Sequence, residues 1–168
     1  MRNKLTRNDI EEMQKEIDHR RLVIRQQALE EVKETRAQGD LSENFEYHAA
    51  KRFKNKNESR IRFLERMIRT AEIVEESSSG DEAGINKRVT IYIPEDDTEE
   101  SYCLVSTIRG DSLKNLISIE SPLGRALLGR KAGDTVTVRV SDAYRYTAVI
   151  RRIEDAGDDA EKAALRSF

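Results

Sequence analysis

Asp40 and Glu43 stand three residues apart in Gly39-Asp40-Leu41-Ser42-Glu43-Asn44, a compact turn between two charged, helix-patterned stretches. Two carboxylates at this spacing have two physical uses. At a helix start, Asp40 could be the N-cap and Glu43 its N3 partner, each accepting from an end N–H group. Alternatively, the pair could serve a cation. Mg²⁺ takes about six oxygens and normally keeps waters or substrate phosphates beside one or two carboxylates, so two exposed acids make no tight site alone. They can complete a site whose other ligands belong to a partner, as in a two-metal centre where one ion is weakly held. The chemistry within reach is therefore catalysis in trans, and the same ligand count argues against an independent nuclease.

Such a turn needs stiff elements to carry it. Thr6 and Asp9 have the spacing of a capping box that opens a helix near Arg7. Ile10, Met13, Ile17, Ile24, Ala28 and Val32 then recur at three-, four- and seven-residue steps, one apolar stripe that continues to about Arg36. Roughly 30 helical residues at 1.5 Å each span about 45 Å. Gly39 supplies a stop. Beyond the turn, Ala50, Phe53, Asn57, Leu64, Met67, Ala71 and Val74 keep heptad-like spacing, with Ile61 and Ile68 broadening the seam. Two long amphipathic helices joined by a short connection bury their stripes against each other as an antiparallel coiled-coil hairpin. Asn57, a polar residue in that seam, fits a register-fixing role.

The second helix carries Lys51, Arg52, Lys54, Lys56, Arg60, Arg62, Arg66 and Arg69 against Glu58 and Glu65, a local excess of six positive charges. Such a stripe is either a solvated face with i,i+4 pairs or a track for a polyanion whose reacting phosphate lies at the acidic tip. Phe53 has the spacing of a packed residue, whereas Phe45 and Tyr47 are open to base stacking.

The overall net charge is −2 and 37% of the residues are charged, which excludes a protein wholly dedicated to coating nucleic acid and suits an extended helical element. The lone Cys103 lies in the strand-like run Tyr102-Cys103-Leu104-Val105 and reads as a packed thiol. The start shows no signal core, and no apolar run approaches the roughly 18 residues that span a bilayer, so a cytoplasmic protein with no membrane partner is expected.

Ser77 to Gly84 has linker composition. After it the period changes to β-rich runs at 88–93, 101–108, 116–119, 135–140 and 144–153, with a short helix from Pro122 to Leu128 stopped by Gly129. The fold class is α+β: a hairpin domain over 1–76, a linker over 77–84, a small and mainly antiparallel sheet domain over 85–153, and a polar tail over 154–168 that is either a short helix or disordered.

Gly39-Asp40-Leu41-Ser42-Glu43-Asn44, the run Glu46-Tyr47-His48-Ala49-Ala50-Lys51, and then Arg60-Ile61 with Leu64-Glu65 resemble the Gre family of bacterial transcript-cleavage factors. Asn115-Leu116-Ile117-Ser118 and Ser121-Pro122-Leu123-Gly124-Arg125-Ala126-Leu127-Leu128-Gly129 resemble that family's second-domain signature, so the likeness covers about residues 5 to 153. It implies a transcription elongation factor, acting as a monomer, whose coiled coil enters the secondary channel of RNA polymerase. The polymerase would then cleave its own backtracked RNA, so the factor is not itself an enzyme.

On this resemblance Asp40 and Glu43 help hold a second Mg²⁺ shared with the polymerase, Ser42 supports them, and no cofactor is tightly bound. Lys51, Arg52, Lys54, Lys56 and Arg60 face the 3′ end of the extruded RNA. The second domain is FKBP-like and docks on the channel rim through Ser121, Pro122, Leu123, Arg125 and Leu127. Phe45 stands where a small residue is usual, Asp9 replaces a frequent glycine, and the tail is longer than most. The tip and the run after it resemble the family's A subtype, the dense bases its B subtype. Two rival readings are a non-cleaving regulator with the same fold in the same channel, and a prolyl isomerase, which the lack of tryptophan and of a clear aromatic pocket weakens.

Overall fold

The computed structural model describes residues 2–39, 44–76, 80–157 and 163–167. The chain divides into two compact units, Ile10–Ala71 and a discontinuous unit of Met1–Asp9 with Glu72–Ser167.

The helical unit is built as its stripes dictate. The capping box at its entrance is reciprocal: the Asp9 N–H donates to Thr6 Oγ1 at 3.1 Å and the Thr6 N–H to Asp9 Oδ2 at 2.8 Å. Helix α1 (Arg7–His19) passes through a π-turn (Arg20–Ile24) into α2 (Arg25–Arg36) without leaving helical dihedrals. Gly39 follows with φ +124°, a value that only glycine adopts readily. The return helix α3 (Phe45–Arg69) is capped by Asn44. Met13, Ile17, Ala28, Tyr47, Ala50, Ile61, Leu64 and Met67 are buried. Cross-helix pairs between Arg25 and Glu58, and between Glu16 and Arg60, run in opposite chain directions and fix the pairing as antiparallel.

The seam departs from the expected one at three positions. Phe53 is 41% exposed, and Tyr47 is buried instead. Ala71 and Val74 lie beyond the helix, because α3 stops at Arg69 and the β-branched residues that follow favour extension. Ala71–Ile73 forms β2, which pairs with β1 (Asn3–Leu5), and the Val74 N–H donates to the Leu5 carbonyl at 2.9 Å.

The other unit is a five-stranded sheet of β3 (Lys87–Ile93), β4 (Thr98–Val105), β5 (Leu116–Ser118), β6 (Thr135–Arg139) and β7 (Arg145–Asp155), in the order β5-β4-β3-β7-β6. All pairs are antiparallel except β4 with β5. Alternation puts Val89, Ile91, Leu104, Val136, Val138, Ala148 and Ile150 on one face, where Leu127 of α4 (Pro122–Leu127) covers them.

The expected domain limits shift in ways that burial explains. Ser77, Ser78 and Ser79 lie outside the described residues, but Ala83 is 2% exposed and exchanges backbone hydrogen bonds of 2.8 Å with Gly129 and Arg130. The stretch read as the end of a linker is thus packed into the sheet unit. The tail joins it too. Strand β7 runs to Asp155, Ala156 and Ala163 are buried with Cys103, Val105 and Leu116, and the Arg166 N–H donates to the Ile108 carbonyl at 2.6 Å. Arg109, 5% exposed, pairs with the buried Asp9 and donates to the Ala163 carbonyl, so the two chain ends meet on one guanidinium. Cys103 is a packed thiol, as its sequence context suggests.

Candidate functional site

Asp40, Ser42 and Glu43 lie outside the described residues; what the structure gives is the frame on either side. Asn44 makes that frame. Its Oδ1 accepts from the Tyr47 N–H at 3.0 Å and its Nδ2 donates to the Thr35 carbonyl at 2.8 Å, which ties the first turn of α3 to the last turn of α2. The capping role considered for the acid pair is performed at α3 by Asn44. Sequence reasoning missed this residue, although an asparagine just before an amphipathic run is a known N-cap signal.

Behind the frame the surface becomes basic. Arg36 lies 6.0 Å from the centroid of the Tyr47 ring. A hydrogen bond with Arg36, and the charges of Lys51, Arg36 and Lys54, hold the Tyr47 phenol below its ordinary pKa against the opposing effect of burial. Phe45 is 87% exposed at the start of the helix. Lys51, Arg52 and Lys56 are exposed and Lys54 is half-buried.

The acids that could neutralise this stripe are engaged elsewhere. Glu58 accepts a two-pronged bond from Arg25 at 2.7 and 2.9 Å, which lowers its pKa chiefly through that hydrogen bond, and Glu65 pairs with Arg21. Arg60 separates from the stripe. It is 7% exposed and donates to Glu16 at 2.7 and 3.1 Å, so its charge is committed inside the hairpin. Among the described residues no three His, Cys, Asp or Glu side chains gather as a metal site.

In the sheet unit, Ser121 organises the turn expected to dock. Its Oγ donates to the Ser118 carbonyl at 2.6 Å and accepts from the Gly124 N–H at 3.0 Å, with Pro122 in the first turn of α4. This sorts the five candidate docking residues. Pro122 and Arg125 are exposed, Ser121 and Leu123 are half-buried, and Leu127 is wholly buried in the core, where it supports the turn and offers a partner no surface. Arg125 pairs with Glu120 at 3.2 Å, and Glu120 also reaches Lys4 at 3.4 Å.

Comparison with known proteins adds an independent line. A family model described as "Transcription elongation factor, N-terminal" matches residues 3–73, and one described as "Transcription elongation factor, GreA/GreB, C-term" matches residues 77–155. The chain is 42% identical over 151 residues to transcription elongation factor GreA of Streptococcus pneumoniae serotype 19F (strain G54), covering 89% of this chain and 94% of that one. It is 38% identical over 147 residues to GreA of Thermotoga neapolitana, covering 87% and 94%. Among solved structures, GreA factor homolog 1 (Gfh1) of Thermus thermophilus is 28% identical, covers 92% of this chain and 99% of that one, and superposes with a TM-score of 0.43.

Proposed function

This chain belongs to the GreA/GreB family of transcription elongation factors, and from that premise we propose that its helical hairpin enters the secondary channel of RNA polymerase and stimulates the polymerase's own cleavage of backtracked RNA. The observation that carries this reading is the Asn44 side chain, which ties the end of α2 to the start of a return helix 25 residues long.

The donor set fits the ion. Asp40 and Glu43 offer the hard carboxylate oxygens that Mg²⁺ prefers, and they leave most of its roughly six positions to polymerase groups, water and the RNA phosphate. When bound, the ion would supply an activated water and neutralise charge on the reacting phosphate. The chain's own residues would do the positioning: Asp40 and Glu43 would hold the ion, and Ser42 would support them. Lys51, Arg52, Lys54 and Lys56 hold the 3′ end of the backtracked RNA by its phosphates. Ser121, Pro122, Leu123 and Arg125 anchor the sheet unit on the channel rim. The factor acts as a cytoplasmic monomer, binds no cofactor of its own and is a partner in catalysis, not an independent enzyme.

A factor that occupies the channel without chemistry is the rival reading, and the retained acid pair favours cleavage over it. Stalled, backtracked complexes decide between them. The full chain should shorten the RNA only when polymerase is present, and Asp40→Ala and Glu43→Ala should each abolish that stimulation while competing for polymerase as before. Normal cleavage by both variants would remove the metal role, and binding without cleavage by the unmodified chain would favour the rival.

A further inference from the structure

A polar layer crosses the apolar seam of the hairpin. Asn57, 2% exposed, faces the π-turn of the first helix. There the ladder runs one residue long, with the Arg25 N–H donating to the Arg20 carbonyl. That same carbonyl also accepts from Asn57 Nδ2 at 3.3 Å, while Arg20 Nη1 returns a bond to Asn57 Oδ1 at 3.1 Å. Asn57 therefore reads both the main chain and the side chain of one residue on the opposite helix. Glu16 completes the layer, accepting from Arg20 Nε at 2.8 Å and from Arg60 Nε at 2.7 Å.

We infer that Asn57, seated on the π-turn, is a positioning residue that fixes the register of the two helices and so sets where the tip acids are delivered; this rests on the cleavage role proposed above. An aliphatic seam tolerates slippage, because one leucine contact resembles the next. Sliding by one helical turn moves a helix about 5.4 Å, whereas a metal-binding constellation tolerates about 0.5 Å. The layer makes the slipped states costly. A slipped register would part Asn57 from the Arg20 carbonyl and Arg60 from Glu16 at once, the kind of penalty by which one polar seam residue specifies coiled-coil register. The π-turn is the matching half of the device, since it presents the Arg20 carbonyl to a side chain from the partner helix as well as to its own ladder. Asn57 touches neither metal nor RNA in this role. Its effect passes through Arg20 and the stiff helices to the tip.

The test pairs a register measurement with a kinetic split on the full chain. Spin labels at Leu22→Cys and Phe53→Cys, both exposed positions on opposite helices, report register by pulsed dipolar distances in a Cys103→Ser background. Asn57→Leu keeps the seam packed and removes the reciprocal bonds. It should split the single distance into two populations and lower the maximal cleavage rate at least ten-fold, with the factor concentration for half-maximal effect within two-fold of the parent. Asn57→Asp keeps the acceptor for Arg20 and should restore the single distance and most of the rate.

One unchanged distance in Asn57→Leu, or a broadened distance with a full cleavage rate, overturns the proposal. Loss of half-maximal affinity with an unchanged maximal rate overturns it as well, since that would make Asn57 a docking residue. If the unmodified chain stimulates no cleavage, the proposed function fails, and the distances still decide whether the layer fixes register.

Discussion

Single atoms decide how much of this chain can vary. Gly124, the third residue of α4, is the sharpest case. A Cβ built there would meet the Ser118 carbonyl oxygen at 2.0 Å and the Ile119 Cα at 2.9 Å, both of them backbone atoms that cannot swing aside. The glycine is thus required by the close approach of α4 to β5, which holds the Ser121 turn against the sheet. Gly124→Ala should cost about 1–3 kcal/mol by overpacking, read as a lower denaturation midpoint, and should weaken competition for polymerase; unchanged midpoint and binding would show that the turn has room the geometry denies it. Asn44 makes the companion case at the tip. Asn44→Ala removes an N-cap worth about 0.5–2 kcal/mol and also leaves the Thr35 carbonyl without its side-chain donor. The maximal cleavage rate should fall further than that of a variant equally destabilised at Thr70, the residue that closes the far end of α3. Equal rates would make Asn44 a cap and nothing more.

At the scale of an element, the hairpin's interior and exterior answer to different variables. Inside, the hydrogen bonds and charges of Arg60 and Arg20 hold Glu16 below the ordinary carboxylate pKa against the opposing effect of its burial. A depressed folded-state pKa contributes stability above the unfolded value of roughly 4.3 and loses it as pH falls through the folded value. Acid titration should therefore loosen the hairpin below about pH 4.3, and Glu16→Gln should flatten that dependence; an identical pH profile in the variant would show that other carboxylates govern it. Outside, neutralising Lys51, Arg52, Lys54 and Lys56 together should weaken the hold on extruded RNA and shallow its salt dependence, by up to about 0.7 in slope for each phosphate no longer neutralised. Crosslinking of RNA that is unchanged across salt would reduce the stripe to a solvated face.

The periodicity made both helices and their pairing legible, because apolar spacing is a local signal. It could not show that Arg60 turns inward, since that depends on Glu16 lying opposite across the seam, nor that Phe53 turns out while Tyr47 turns in. The π-turn was equally silent, a backbone event with no compositional mark in Arg20 to Ile24. In the sheet unit, alternation and turn residues marked all five strands and the short helix, but not the parallel β4–β5 pair or the turn that ends β4 at Val105, before the expected 108.

At the scale of the whole chain, the sheet unit draws on more of the sequence than composition suggests. Ser and Gly between 77 and 84 mark a change of period, yet Ala83 and Ile85 are buried in the sheet unit, Leu5 is wholly buried, and Arg109 draws Asp9 from one chain end and the Ala163 carbonyl from the other. Composition identifies a boundary in the chain, whereas compactness follows from where buried groups find partners. A chain beginning at Ile85 would lose Leu5, Ala83 and the Asp9 carboxylate together, and with the last of these the ion pair that Asp9 makes with the buried Arg109. Removing one member of a buried pair costs about 3–5 kcal/mol, a large share of a small domain's stability. That fragment should therefore fold poorly and compete weakly for polymerase. Truncation after Gly157 removes the Ala163 carbonyl and side chain and the Arg166–Ile108 bond but keeps the Asp9–Arg109 ion pair, and should cost less. Asp9→Asn in the full chain isolates the charge, and Arg109→Met in the same background should recover much of the loss by removing the buried cation too. Hydrogen exchange at the Val89 and Ile91 amides, in the central strand, reads all four proteins on one scale. Full protection in the fragment that starts at Ile85, or no recovery in the double variant, would show that the sheet unit stands without its first nine residues and that the boundary between 77 and 84 is the true one.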